Sequence, residues 1–154
     1  MQLNPEPKRP SPLQNQHQTM ETRLNLWDGW LIPEVYTSFA DETAALQDRV
    51  GLGDISDRGK LILKGAKAEG IISSIFGESP TNPGDVIAVE SNHILASKLT
   101  ADKFLILISP GIEKEIAASF EAEISSQNIF VSVIDQTSGL VGLSIAGPKS
   151  VGIM

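Results

Sequence analysis

Two stretches decide the reading of this chain: Gly65-Ala66-Lys67-Ala68-Glu69-Gly70-Ile71-Ile72 and Gly147-Pro148-Lys149-Ser150-Val151-Gly152-Ile153-Met154. Both follow the pattern Gly-x-Lys-x-x-Gly-Ile-apolar, and their first glycines lie 82 positions apart. Each comes after an apolar run, 60–64 or 142–146, and each run is preceded by a turn and a polar triplet, Asp54-Ile55-Ser56 or Asp135-Gln136-Thr137. A strand-to-helix junction requires neither the lysine nor the second glycine, so the coincidence reads as an internal repeat. Pro148 suits the first turn of a helix, where its missing N–H costs nothing.

Working outward, residues 39–50 carry Phe39, Ala44, Ala45, Leu46 and Val50 at helical spacing, with Asp41 as the expected cap and Gly51 as the stop. Residues 66–76 place Ala68, Ile71, Ile72 and Ile75 on one helical face. The Pro/Gly-rich stretch 77–84 breaks that helix, and 85–90, 93–99 and 104–108 read as three strands joined by short turns. A helix is expected over 112–127, then strands over 129–135 and 140–146. The fold class is therefore α+β, with duplicated β-β-α-β-β-β-α subdomains of which the second is incomplete. Residues 54–64 and 135–146 are each expected to form a hairpin-like pair. The apolar side chains Leu140, Val141, Leu143 and Ile145 are expected to lack part of their cover and to favour a protein partner or self-association through the second repeat.

Residues 1–22 contain four prolines and several glutamines with little to bury, which predicts a disordered leader ahead of a domain over 23–154. Trp27 and Trp30, the two tryptophans of the chain, are expected to be packing anchors. The formal net charge of −7 disfavours nucleic acid and anionic membranes as partners, and no apolar run reaches the ~20 residues that span a bilayer. A cytoplasmic setting is the expectation, since the N-terminus has no basic segment followed by an apolar core. With no cysteine, the chain has no disulfide, thiol nucleophile or Cys-based zinc site.

A family resemblance emerges from Trp27-x-Gly29-Trp30-x-x-Pro33-x-x-Tyr36, from Glu42, Ala45 and Arg49, and from Val50-Gly51-Leu52-x-Asp54-Ile55-Ser56-x-x-Gly59-Lys60 with Gly65 and Ala68. Together with Asp135-x-Thr137 and Leu143-x-Ile145-x-Gly147-Pro148-Lys149, these positions resemble the glycine cleavage T-protein (aminomethyltransferase) family and its sarcosine oxidase relatives. The resemblance covers the N-terminal part of that fold. It implies two similar subdomains with exchanged strands, tetrahydrofolate as the cofactor, and transfer of a one-carbon unit. A non-catalytic assembly subunit resembling sarcosine oxidase gamma is the alternative it implies.

Members of that family carry paired aspartates after a glycine turn at the start of a strand. The matching region is 90–99, where counting from the turn selects Ala96-Ser97 and counting back from the next strand selects Asn92-His93. Neither pair contains an aspartate, so the carboxylate that would steer protons and stabilise a cationic intermediate is missing. His93 and Ser97 are the candidate catalytic side chains in this region; no folate-contacting residue is assigned and no metal site is read. Asp54, Asp57 and Arg58 form the other charged cluster, and they read first as a polar turn.

Overall fold

The computed structural model describes residues 8–89 and 93–153, which fall into two compact units: residues up to Asp57 together with Ser138 onward, and Arg58–Thr137. The elements of residues 51–127 follow the order β-β-α-β-β-β-α. No helix among the described residues is long and apolar enough to cross a membrane.

The Arg58–Thr137 unit is built on a five-stranded sheet. Its strands are β5 (Gly59–Lys64), β6 (Val86–Val89), β7 (Ile94–Thr100), β8 (Lys103–Ile108) and β9 (Ser132–Asp135), in the order β6-β7-β8-β5-β9 with every pair antiparallel. Alternation places Ile94 and Ala96 of β7, Phe104, Ile106 and Ile108 of β8, and Leu61 and Leu63 of β5 in one core. Helix α3 (Ala68–Phe76) adds Ala68, Ile71 and Ile72, and helix α4 (Glu113–Gln127) adds Ile116 and Phe120. Each large aliphatic side chain fully buried here contributes about 1.5–3 kcal/mol. Phe76 and Phe120 meet edge to face at 5.5 Å. Gly77 and Asn128, both left-handed, end the two helices. The expected elements of this unit agree closely with the observed ones, whereas the Ser91-Asn92 turn lies outside the described residues.

The other unit has a small sheet of β1 (Arg9–Pro10), β3 (Trp30–Val35) and β2 (Arg23–Trp27), in that order. Helix α1 (Gln14–Thr19) lies between β1 and β2 in the chain. The leader expected over 1–22 is corrected here: residues 8–22 include β1 and α1, with Ser11 and His17 buried. Their order comes from polar contacts and from β1 pairing with β3, neither of which an apolar pattern reveals. The β2–β3 hairpin turns on Asp28-Gly29, both at positive φ, as a tight two-residue hairpin requires. Of the two tryptophans only Trp30 is an anchor, beneath the Arg9 guanidinium; Trp27, its cross-strand partner, is exposed. Helix α2 (Phe39–Asp48) is capped by Ser38 rather than Asp41. The Ser38 Oγ accepts from the Asp41 N–H at 3.1 Å, and the Glu42 carboxylate accepts from the N–H groups of Tyr36 and Thr37.

The expected hairpins at 54–64 and 135–146 do not form. Strand β4 (Gly51–Asp54) pairs with β10 (Leu143–Ala146), and β5 pairs with β8 and β9. The two exchanged pairings nevertheless match register for register, with Leu61 opposite Asp135 and Leu143 opposite Asp54, and so on to Lys64 opposite Ser132 and Ala146 opposite Gly51. Beyond each strand comes a glycine at positive φ, Gly65 or Gly147. A Cβ at either would stand 2.6–2.7 Å from a carbonyl oxygen, that of Phe130 or Arg49, so both close approaches need glycine. The first leads into α3 and the second into a 3-10 turn, Ser150–Gly152.

Candidate functional site

Each unit holds one set of functional groups, and the first gathers around Asp54 at the end of β4. In the first, the Asp54 Oδ1 accepts from the Ser56 N–H at 2.9 Å, which folds the turn back on itself. Its other oxygen, Oδ2, accepts from the Ser11 hydroxyl and meets His17 Nε2 at 2.7 Å. The Tyr36 hydroxyl accepts from the Asp54 N–H at 2.8 Å, and the Tyr36 ring stands edge-on to His17 at 5.8 Å.

Burial alone would push the Asp54 carboxyl up. Hydrogen bonds from Ser11, Ser56 and His17 more than offset it and hold the group below its ordinary value. The Tyr36 phenol is pushed up, by burial first and then by the charges of Asp54 and Glu42, against the N–H bond from Asp54. Because Nε2 of His17 faces a carboxylate, it carries the proton; Nδ1 is buried with no hydrogen-bond partner among the described residues. Sequence reasoning treated Asp54 as an ordinary turn residue and passed over Ser11 and His17 altogether. A histidine and a serine within a stretch almost devoid of apolar residues were the one signal present, and it is a faint one.

The second set lies in the Arg58–Thr137 unit. A cleft of about 370 Å³ is lined by Arg58, Ala88, Val89, His93, Ile94 and Leu95. The cross-strand pairs Val89–Ile94 and Ala88–Leu95 supply its apolar wall, since they are the neighbouring ends of β6 and β7. His93 sits immediately before β7 at positive φ, and its carbonyl lies 3.4 Å from the Ser109 hydroxyl that donates to it. Arg58 precedes β5 and gives its carbonyl to Lys60 Nζ at 2.8 Å; its guanidinium enters no salt bridge among the described residues. Such a cavity, mostly apolar with a few polar groups, is of the size that holds a small molecule.

Of the sequence candidates, His93 therefore lines the cleft and Ser97 does not. Ser97 lies within β7, opposite Val86 and Leu105. Because β7 begins at Ile94, only the counting that selects Asn92-His93 falls at a strand start; Asn92 is outside the described residues. The buried lysines are engaged: Lys98 donates to Glu69 at 2.6 Å and to the Thr81 carbonyl, and Lys60 Nζ donates to the Arg58 and Thr137 carbonyls. No group of three or more metal-ligating side chains occurs among the described residues.

Comparison with known proteins supplies the wider frame. The family model described as the GCVT N-terminal domain matches residues 13–154. An aminomethyltransferase of Rubrobacter xylanophilus is 24% identical over 151 residues, covering 92% of this chain and 40% of that protein. One from Halothermothrix orenii is 25% identical over 155 residues, covering 94% of this chain and 42% of that protein. The chain thus spans about two-fifths of the length of these relatives. Among solved structures, glycine cleavage system aminomethyltransferase T from Bartonella henselae superposes with a TM-score of 0.72 at 19% identity, over 94% of this chain and 42% of that one. A chain of heterotetrameric sarcosine oxidase from Corynebacterium sp. U-96 gives 0.57 at 18% identity, over 75% and 60%. With a family model matched along nearly its whole length, the chain belongs to the GCVT N-terminal domain family.

Proposed function

We propose that this chain is the folate-binding domain of an aminomethyltransferase-like protein of one-carbon metabolism, acting in the cytoplasm, and that by itself it does not perform the standard transfer. Membership of the family supports the first part. The observation that carries the second is the lining of the cleft at the start of β7, where His93 and Arg58 stand and no carboxylate occurs among the described lining residues. The fit to a folate-type ligand is divided: the volume and the Ala88, Val89, Ile94 and Leu95 wall suit one ring system, while no group that would stabilise a cationic one-carbon carrier stands among the described lining residues. The two matching strand pairings, β5 with β9 and β10 with β4, support reading them as parts of two copies of one duplicated subdomain.

The test is direct. Calorimetric titration with tetrahydrofolate is expected to give saturable binding, and an assay with an aminomethyl donor is expected to give no turnover. Turnover abolished by His93→Ala or Ser97→Ala would overturn the non-catalytic reading. A second reading, an assembly subunit comparable to a small sarcosine oxidase chain, is favoured by the exposed Leu52, Leu143, Ile145, Val151 and Ile153. It expects concentration-dependent self-association or capture by a partner, and a monodisperse monomer in sedimentation over a wide concentration range would remove its support.

A further inference from the structure

We infer that the outer edge of β9 takes up an extended segment of a partner protein, apolar along the strand and acidic where it passes the Phe130 end. The surface uses no residue of the cleft. β9 closes one side of the five-stranded sheet and pairs with β5 alone among the described residues, so the backbone groups of its far side are open to a further strand. Edge strands are commonly protected from such pairing by a lysine, a proline or a bulge. The run Ile129-Phe130-Val131-Ser132-Val133-Ile134-Asp135 contains neither lysine nor proline, and its ladder with β5 keeps an unbroken register. Phe130 is 99% exposed, so the fold gains nothing from its ring, and Ile134 further along the strand is exposed as well.

The corner at which β9 begins is basic, and that sets the chemistry of the partner. A Cβ on Gly65 would stand 2.6 Å from the Phe130 carbonyl, and the Gly65 N–H donates to the Asp102 carbonyl at 2.9 Å. The approach to β9, the end of β5 and the β7–β8 turn therefore meet at one place. Lys64 and Lys103 face each other there across the β5–β8 ladder, and Lys67 stands at the head of α3. None of these three lysines enters a salt bridge among the described residues, although the chain holds 19 acidic side chains against 12 basic ones. Of the acids nearby, Glu69 is taken by Lys98, and the Asp102 carboxylate accepts from the Thr100 hydroxyl at 3.0 Å. Like charges directly opposite in a ladder destabilise it, a cost that carboxylates of a partner would relieve. β9 ends in the exposed Asp135, so its edge runs from basic to acidic and fixes the direction of the added segment. In a sheet whose every pair is antiparallel, an antiparallel addition brings its C-terminal, acidic end to Phe130. A nucleic acid would also meet an aromatic ring and lysines here, but it would run on over a chain of net charge −7.

Three labelled peptides of alternating valine and threonine test this on the whole chain: one ending in glutamates, one ending in lysines, and the glutamate peptide with a proline at its centre. Binding is followed by fluorescence anisotropy, and its place by amide hydrogen exchange. The glutamate peptide is expected to bind saturably and to slow exchange at Ser132–Asp135, while the lysine and proline peptides bind at least about tenfold more weakly. Phe130→Ser is expected to weaken the glutamate peptide by about tenfold, as loss of an aromatic anchor does. Lys64→Gln combined with Lys103→Gln is expected to remove most of the preference for glutamates over lysines. Phe130 lies wholly at the surface, and thermal melts matching the native chain show that the variants fold. Absence of saturable binding, equal binding of the glutamate and lysine peptides, or binding insensitive to Phe130→Ser overturns the inference. So does tighter binding of a short oligothymidylate than of the glutamate peptide, which would give the surface to nucleic acid. Self-association of the native chain that is lost in Phe130→Ser would give the edge to a second copy and overturn it too.

Discussion

The turn after β4 and the turn after β9 use the same local code and end in different surroundings. In one, Ser56 N–H donates to Asp54 Oδ1 at 2.9 Å and Gly142 N–H donates to the Ser56 hydroxyl at 3.1 Å. In the other, Thr137 N–H donates to Asp135 Oδ1 at 2.8 Å and Lys60 N–H donates to the Thr137 hydroxyl at 3.0 Å. The backbone bonds match as well, Ile55 to Gly142 and Gln136 to Lys60. Yet Asp54 is buried under Ser11 and His17 while Asp135 is exposed, and Leu63 of β5 is fully buried while Ile145, at the matching place in β10, is 40% exposed. A short polar motif thus specifies the path of the backbone. How much the turn is worth depends on what the rest of the chain lays over it.

The comparison is broken most severely by truncating the matched aliphatic pair. Leu63→Ala is expected to cost about 2–5 kcal/mol, because it opens a cavity in a closed core, and Ile145→Ala less than about 1 kcal/mol. Urea denaturation measures both, and hydrogen exchange is expected to be slower at Gly59–Lys64 than at Leu143–Ala146. Equal losses would mean that β10 is as well covered as β5.

The two aspartates give the next largest contrast. Asp54→Asn replaces the oxygen that receives both Ser11 and His17 with a donor, at an expected cost of about 1–3 kcal/mol, whereas Asp135→Asn keeps its one acceptor role and is expected to stay within about 0.5 kcal/mol. Thermal melts of the two variants, compared with the native chain, decide between this asymmetry and equivalence.

Acid sharpens the same point with a smaller effect. The Asp54 carboxyl is depressed in the folded chain, so its contribution is fully present above the ordinary carboxylate range near about pH 4 and is lost as the pH falls through the depressed value. Protonation removes the acceptor that holds Ser11 and His17. Exchange or proteolysis at residues 8–22 is therefore expected to rise on acidification before the β5 sheet opens, and to lose that pH dependence in Asp54→Asn. A simultaneous opening of both regions would show that Asp54 does not hold the N-terminal segment.

What was legible in the sequence divides along the same line. Ala68, Ile71, Ile72 and Ile75 announced α3, and Phe104, Ile106 and Ile108 announced β8, because helix and strand periods are local and apolar side chains mark the buried face directly. The paired Gly-x-Lys-x-x-Gly stretches announced matching junctions, but not the partners. A strand ladder joins backbones that are often distant in the chain, so no local pattern marks β4 as the partner of β10 or β5 as that of β9. The candidate site was half legible: His93 could be singled out as a titratable group near a strand start, while its place beside Arg58 depended on β6 and β7 meeting at Val89 and Ile94. Ser11 and His17 were hidden for a different reason. Their burial is bought by hydrogen bonds to Asp54, 43 and 37 residues away, and polar burial leaves no periodic trace. Composition and periodicity by themselves determined the α+β class, the elements of the larger sheet and the repeated glycines; only the tertiary structure decided which strands exchange, which aspartate is buried and which basic side chains share a cleft, because those depend on contacts between residues far apart in the chain.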